Sequence, residues 1–474
     1  MIWHSDLLQK LAKFATYKTL QKMDKVREYI DANKERFLEE LFELLRIPSI
    51  SAVTEYAEAR QRCAEHLAAA LVKAGADSAE VIATEGAPIV YGEKIISPKA
   101  KTVMVYGHYD VMPPEPLNEW TTEPFEPVIK DGRIYGRGAD DDKGQSFMHI
   151  KAFEAMCATD SLPCNVKFLL EGEEESGSTQ ISKFCAANKK MLKADVILVS
   201  DTSMLGLDTP SITCGLRGLA GVEVSVSNGA ADLHSGIYGG AVYNPALVLS
   251  KMLSQIVGED GHINIPGFYD DVRELSTDER KALNRVPFCT RKYKAAIGVG
   301  AVAGEEGYTT LERVGVRPTF EINGMWSGYT GEGSKTIIPA VASAKITMRL
   351  VPYQTPDKIT KLFKDHFKSL APKGIKVDVR PTHGGVPYVS PTDMAAYKAA
   401  EKAIAEVFGK KPVPVYSGGS IGVISCFEQV LGIKSILMGF GLSKDAIHSP
   451  NESYGLDQFD LGLKSIPLFY KYFA

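Results

Sequence analysis

Apolar residues recur at helical spacing from about Lys25 to Leu45, with Pro48 just beyond, and again from Glu55 to Ala74. Both stretches are predicted as helices. Short apolar runs then alternate with helical stretches, the signature of an α/β sheet with a mainly parallel core. The runs that stand out as strands are Thr102–Tyr106, Asn165–Leu170, Asp195–Val199 and, far downstream, Ser435–Phe440.

Between the third and fourth of these the rhythm changes. Leu219–Ser227 is predicted as a strand, Pro245–Ile256 as a helix, Thr319–Asn323 and Ala342–Val351 as strands, Pro356–Leu370 as a helix and Ile375–Arg380 as a strand. That order, β-α-β-β-α-β, is a split βαβ pattern. An irregular stretch from about Gly258 to Val316 interrupts it. The α/β rhythm resumes with helix Thr392–Phe408, strand Pro412–Tyr416 and helix Ile421–Leu431. The prediction is one α/β domain, split in sequence into 1–215 and 387–474, with an α+β domain inserted at 216–386. No internal repeat or low-complexity tract interrupts this scheme.

Composition narrows the function classes. The chain has 474 residues, 45% hydrophobic and 24% charged, enough for two domains and an ordinary globular balance. A net charge of -4 and the lack of a Lys/Arg-dense stripe give no footprint for nucleic acid. No apolar run is long enough to span a bilayer. Seven scattered cysteines, an odd number without a CxxC pair, suit free thiols and predict the cytoplasm. The N-terminal segment MIWHSDLLQKLAKFATYKTLQKMDK lacks the apolar stretch and cleavage site of a secretory signal. It reads as a basic amphipathic helix packing on the main body, and Met23 is a second candidate start.

Ligands in open α/β sheets bind outside the carboxyl ends of the strands. Four predicted strands run at that end into a histidine or carboxylates: Gly107-His108-Tyr109-Asp110, Glu171-Gly172-Glu173-Glu174-Glu175, Ser200-Asp201, and a loop with Asp445 and His448. Clustered carboxylates repel unless positive charge sits among them, which points to divalent metals. His108-x-Asp110 places an imidazole and a carboxylate on one face of an extended segment, where Asp110 can accept the second ring N–H. The loop Gly136-Arg137-Gly138-Ala139-Asp140-Asp141-Asp142-Lys143-Gly144 is too acidic to form tightly without a cation, and it matches neither an EF-hand loop nor a Walker A. In Glu173-Glu174-Glu175, one carboxylate can bind metal while a neighbour acts as general base. Each piece alone has an ordinary explanation as an acidic turn or helix N-terminus; the four strand ends together do not.

Five stretches occur in one order: GHYD (107–110), GRGADDDKG (136–144), EGEEESGS (171–178), SD (200–201) and IHSPNE (447–452). With them the chain resembles the two-zinc exopeptidase family of carboxypeptidase G, acetylornithine deacetylase, aminoacylase and carnosinase, over nearly its whole length. GLRG (215–218), DLHSGIYGG (232–240), KTIIP (335–339), MRLVP (348–352) and GGS (418–420) are most similar to the branch of carnosinase and the cytosolic nonspecific dipeptidases.

The resemblance implies two divalent ions per subunit, zinc or manganese. Asp141 would bridge them, His108 and Asp201 would complete one cage, and Glu175 and His448 the other. Glu174 would be the general base acting on a water between the ions, with Asp110 orienting His108. A cis peptide is expected at Asp141–Asp142. The inserted domain would be a lid and dimerisation domain, with His234 donated across a homodimer interface to the oxyanion. Arg349 would clamp the terminal carboxylate of a small peptide, with Thr336 and Ser420 adding polar contacts. Ser417, where relatives in that branch carry an acidic residue, is a departure that bears on substrate preference.

Two other enzymes compete with a dipeptidase. An N-acyl amino acid deacylase would use the same cage. Gly418-Gly419-Ser420-Ile421-Gly422 also matches the G-x-S-x-G nucleophile elbow of serine hydrolases, with Asp445 and His448 following in the expected order. That reading leaves His108, Asp141, Glu175 and Asp201 unexplained.

Overall fold

The computed structural model describes residues 21–474. The amphipathic N-terminal segment lies, through residue 20, outside them. By the packing of its backbone the chain divides into two compact units. The first comprises residues up to Cys214 together with Ser390–Pro414 and Cys426–Ala474; the second comprises Gly215–Val389 and Val415–Ser425.

The first unit is built on a mixed sheet. Its strands run in the order Ser78–Ile82, Ile89–Lys94, Asn165–Glu171, Thr102–His108, Val196–Val199, Ser435–Leu437 and Ser211–Leu216. The four central strands, Asn165–Glu171 through Ser435–Leu437, are mutually parallel, and the flanking ones pair antiparallel. Parallel strands covered on both faces are apolar throughout rather than alternating. Residues 103–108, 165–171 and 196–199 are accordingly all buried. The helices Ala57–Lys73 and Lys143–Ala158 cover the sheet, and Leu456–Phe473 packs on Lys143–Ala158. Residues 21–32 and Lys34–Leu45 are helical, with a turn at Asn33 inside the stretch predicted as one helix.

Lys143–Ala158 has no solvent-facing stripe: every residue from Lys143 to Met156 is buried. A helix buried all round shows no amphipathic period, so its bounds cannot be read from hydrophobic spacing.

The second unit carries a four-stranded antiparallel sheet in the order Thr319–Ser327, Val341–Leu350, Gly218–Ser227, Lys376–Gly385. Alternate residues on one face, Val222, Val224 and Val226 with Ala344, Ile346 and Met348, pack against Leu249 and Met252 of helix Pro245–Leu253 and Phe363 and Phe367 of helix Pro356–Ser369. The stretch read as irregular holds three short helices, Thr277–Leu283, Thr290–Ile297 and Thr310–Gly315. Two of them open with capping boxes, at Ser276/Glu279 and Thr309/Glu312. Helices of six to eight residues complete about two turns, too few for a hydrophobic period to declare itself. No helix among the described residues is long and apolar enough to cross a membrane.

Phe168 sits fully buried in the central strand Asn165–Glu171, edge-on to Phe153 at 5.3 Å between ring centres. Phe168→Ala removes that ring from a packed interior and is expected to cost about 3–5 kcal/mol, read as a lowered midpoint in urea denaturation followed by circular dichroism. A midpoint within error of the parent would contradict this placement of the core.

Candidate metal centre

Parallel pairing sets the geometry of the site. In register, His108 lies opposite Glu171, Tyr106 opposite Val199, and Val199 opposite Leu437. The residues that follow each strand therefore leave the sheet at one edge. His108 closes its strand, Glu174 and Glu175 open the 3-10 turn Glu174–Ser176, and Asp201 lies two residues beyond Val199. Asp141 immediately precedes Asp142, the N-cap of helix Lys143–Ala158. The Asp141–Asp142 peptide is cis, as expected.

Asp141 lies between two imidazoles. Its Oδ1 is 3.1 Å from His108 Nε2, and its Oδ2 is 2.9 Å from His448 Nε2. His108 Nε2 also lies 3.9 Å from Asp201 Oδ1, and His448 Nε2 lies 3.1 Å from Glu175 Oε1. His108, Asp141 and Asp201 form one group and Asp141, Glu175 and His448 another, with the donor atoms of each within 4.8 Å of one another. Ligand atoms about 2.0–2.2 Å from a tetrahedral zinc stand roughly 3.4 Å apart. The residues present thus fit a divalent cation in each group, and nitrogen with carboxylate oxygen suits zinc while admitting manganese.

A second tier holds these side chains. His108 Nδ1 lies 3.1 Å from the Asp110 carbonyl and 3.4 Å from its carboxylate, which fixes the ring with Nε2 toward Asp141. The Asp110 carboxylate also accepts the backbone N–H groups of Glu174 (3.2 Å) and Glu175 (3.1 Å). One buried aspartate thereby orients a ligand on one strand end and the turn on another. Asp142 accepts from the His108 N–H at 3.1 Å and from the Ser146 hydroxyl. The acidic turn needs its glycines. Gly138 has φ +83, and a Cβ on Gly144 would come within 1.9 Å of the Ala139 carbonyl oxygen.

Electrostatics show what the cluster demands. Burial pushes Glu174 up to about 7, with the charges of Glu175, Asp141 and Asp110 adding to it and His108 opposing. Burial likewise drives Asp201 far above the carboxylate range, against His108 and with Asp142, Asp141 and Glu174. Hydrogen bonds that His448 donates to the Asp141 and Glu175 carboxylates hold it up at about 10. His108 is raised despite its burial by Asp110 and Asp141, and Asp141 is held below its ordinary value, despite burial, by the two histidines. The carboxylates draw positive charge to the positions between them, which is the condition for divalent ions to bind there.

The remaining predicted residues lie in the second unit. His234 is exposed at the end of the two-residue strand Leu233–His234, which pairs with Ile337–Ile338. Its Nδ1 accepts the Gly236 N–H at 3.0 Å, so the neutral ring carries its proton on Nε2. Thr336 is exposed beside it, its carbonyl accepting the Ser235 N–H at 3.0 Å. Arg349 is half-buried and donates from Nη1 to Ser420 Oγ at 2.8 Å, while Ser420 Oγ donates to the Arg217 carbonyl. Arg349 has no ion-pair partner among the described residues, and burial lowers its pKa. It lines a cavity of about 670 Å³ with Arg217, Thr347 and Glu321. The serine-hydrolase alternative finds no support in these contacts. The Ser420 proton goes to a carbonyl, His448 is engaged by Asp141 and Glu175, and Asp445 is bound by Arg133 and Gln458.

Residues 104–470 match the model of peptidase family M20/M25/M40. The chain belongs to that family. It is 34% identical over 470 residues to the Cys-Gly metallodipeptidase dug1 of Schizosaccharomyces pombe, covering 95% of this chain and 97% of that one. It is 30% identical to the human Beta-Ala-His dipeptidase over 94% of this chain and 92% of that protein. Among solved structures, the M20 family metallo-carboxypeptidase Sso-CP2 of Sulfolobus solfataricus superposes with a TM-score of 0.83 at 33% identity, over 92% of this chain and 99% of that one. The family's chemistry is metal-dependent peptide hydrolysis, and the chain is an enzyme of that class.

Because Asp141 belongs to both groups, Asp141→Ala is expected to weaken divalent metal binding at two positions, and Asp201→Ala at one. Each loss should exceed the roughly 10–100-fold that removal of an outer-shell partner costs. Titration of chelator-stripped protein against a chromophoric chelator reads both. Equal effects of the two substitutions would contradict a shared ligand.

Proposed function

We propose that this enzyme is a dipeptidase that uses two divalent ions, zinc or manganese, to hydrolyse the peptide bond of small peptides. The observation that carries the reading is Asp141, one carboxylate oxygen directed to His108 and the other to His448. Asp141 would bridge the ions, with His108 and Asp201 on one and Glu175 and His448 on the other. The dipeptidase activities named for the relatives, at 34% and 30% identity over nearly the full chain, favour a free dipeptide as substrate.

Bound ions supply Lewis acidity, acidifying water and polarising the scissile carbonyl. The protein's own groups do the rest. Glu174 accepts the proton of the attacking water and returns it to the leaving amine. Asp110 keeps His108 in its ligating tautomer and anchors the backbone of Glu174 and Glu175. In the second unit, residues 216–386 would act as a lid and dimerisation domain. Arg349, a planar fork backed by Ser420 and without an ion-pair partner among the described residues, suits a terminal carboxylate, and Thr336 adds a polar contact. His234 presents Nε2–H at an exposed position, the donor an oxyanion needs; it would serve the site of a partner subunit in a homodimer. All seven cysteines are free thiols, which favours a reducing compartment, the cytoplasm.

The test is chelator-stripped protein assayed on a dipeptide panel and on N-acetyl amino acids, with and without Mn²⁺ or Zn²⁺. Metal-restored dipeptide cleavage is expected, with Glu174→Ala lowering turnover by about 10²–10⁴-fold at unchanged metal content. Cleavage of only the acylated substrates would move the enzyme to deacylation. Undiminished turnover in Glu174→Ala would remove that residue from its role.

A further inference from the structure

The loop that carries His448 is held in an uncommon backbone. Ala446, His448 and Asn451 have φ of +56, +61 and +64, the left-handed region that residues with a Cβ occupy only when their surroundings hold them there. Two side chains at the end of this loop supply that hold. Asn451 Oδ1 accepts from the Thr121 N–H at 2.7 Å and hydroxyl at 2.8 Å, and its Nδ2 donates to the Glu119 carbonyl at 2.8 Å.

Glu452 turns inward and is fully buried. Its Oε2 accepts from Arg137 Nη1 at 2.8 Å and the Gly138 N–H at 2.9 Å, and its Oε1 from the N–H groups of Asp140 at 3.0 Å and Asp141 at 3.1 Å. Its own carbonyl accepts the Gly136 N–H at 3.0 Å. A buried carboxylate with four donors, one of them charged, is tightly located. All four donors belong to the acidic turn Arg137–Asp141. Glu452 is thus the direct link between the turn that presents Asp141 and the loop that presents His448, four residues upstream.

We propose that Glu452 is a positioning residue that sets the separation of Asp141 and His448, and so tunes one of the two metal positions in preference to the other. The position formed by Asp141, Glu175 and His448 has two of its three ligands on the segments Glu452 joins. The position formed by His108, Asp141 and Asp201 takes His108 and Asp201 from strand ends that Glu452 does not touch. The inference rests on the two-ion reading of the site.

The experiment is a two-step metal titration of chelator-stripped, full-length Glu452→Gln by competition with a chromophoric chelator, with Zn²⁺ and Mn²⁺ as probes. Circular dichroism and turnover at limiting and saturating metal accompany it. The glutamine keeps the size but aims an amide NH2 at backbone N–H groups. The expected result is one of the two affinities weakened by about 10–100-fold, the other moved much less, KM unchanged and kcat recovered at saturating metal. Asn451→Ala, which frees the same loop from its outer anchor, should weaken the same step by a smaller factor; it carries the test if Glu452→Gln fails to fold. Parent-like affinities in a folded Glu452→Gln, or in Asn451→Ala where the glutamine variant does not fold, would overturn the proposal, as would equal loss at both steps. A parent protein that binds a single ion would overturn the two-ion reading itself and the inference with it.

Discussion

Asp141 offers one carboxylate oxygen to His108 and the other to His448, at the edge where four parallel strands end. Around it stand Asp110, Asp142, Glu174, Glu175 and Asp201, buried or nearly so. Such a concentration of acid in a low-dielectric interior is unfavourable without matching positive charge. The rest of the first unit serves that constraint. The parallel strands bring the acids to one level, the helix Lys143–Ala158 presents its N-terminus behind them, and Asp110 and Glu452 spend their hydrogen bonds on backbone N–H groups of the ligand-bearing segments.

The same constraint explains which parts of the molecule were legible in the sequence. The four central strands were visible because strands buried on both faces are continuous apolar runs. Thr102–His108 and Asn165–Glu171 extend the predicted runs by only two residues and one residue. His108, Glu175, Asp201 and His448 stood out because they follow such runs at one sheet edge, and Asp141 because it lies in an acidic turn between glycines; their grouping as one ligand set came from the family resemblance. The structure brings them into two overlapping groups. The alternation of the second sheet, with Val222, Val224 and Val226 on one face, likewise wrote itself into the chain.

What the sequence hid falls into two physical classes. Elements with no polar face or too few turns carry no period, as in Lys143–Ala158 and the three short helices between Thr277 and Gly315. Residues that act through backbone hydrogen bonds leave no residue pattern either. Glu452 lies inside a recognisable motif, yet nothing in its neighbours reveals that it faces inward to Arg137 and the turn 138–141. The double duty of Asp110 was half visible: its spacing from His108 predicted contact with the ring, but not that it also holds the Glu174–Glu175 turn.

The proposed role of this acidic cluster is to hold two cations on a shared carboxylate. Crystals of the metal-loaded protein, measured at the absorption edges of zinc and manganese, test it most directly. Two anomalous peaks flanking Asp141 are expected, each about 2.0–2.2 Å from its ligand atoms, one bounded by His108 and Asp201 and the other by Glu175 and His448. A single peak, or peaks that do not share Asp141, would contradict it.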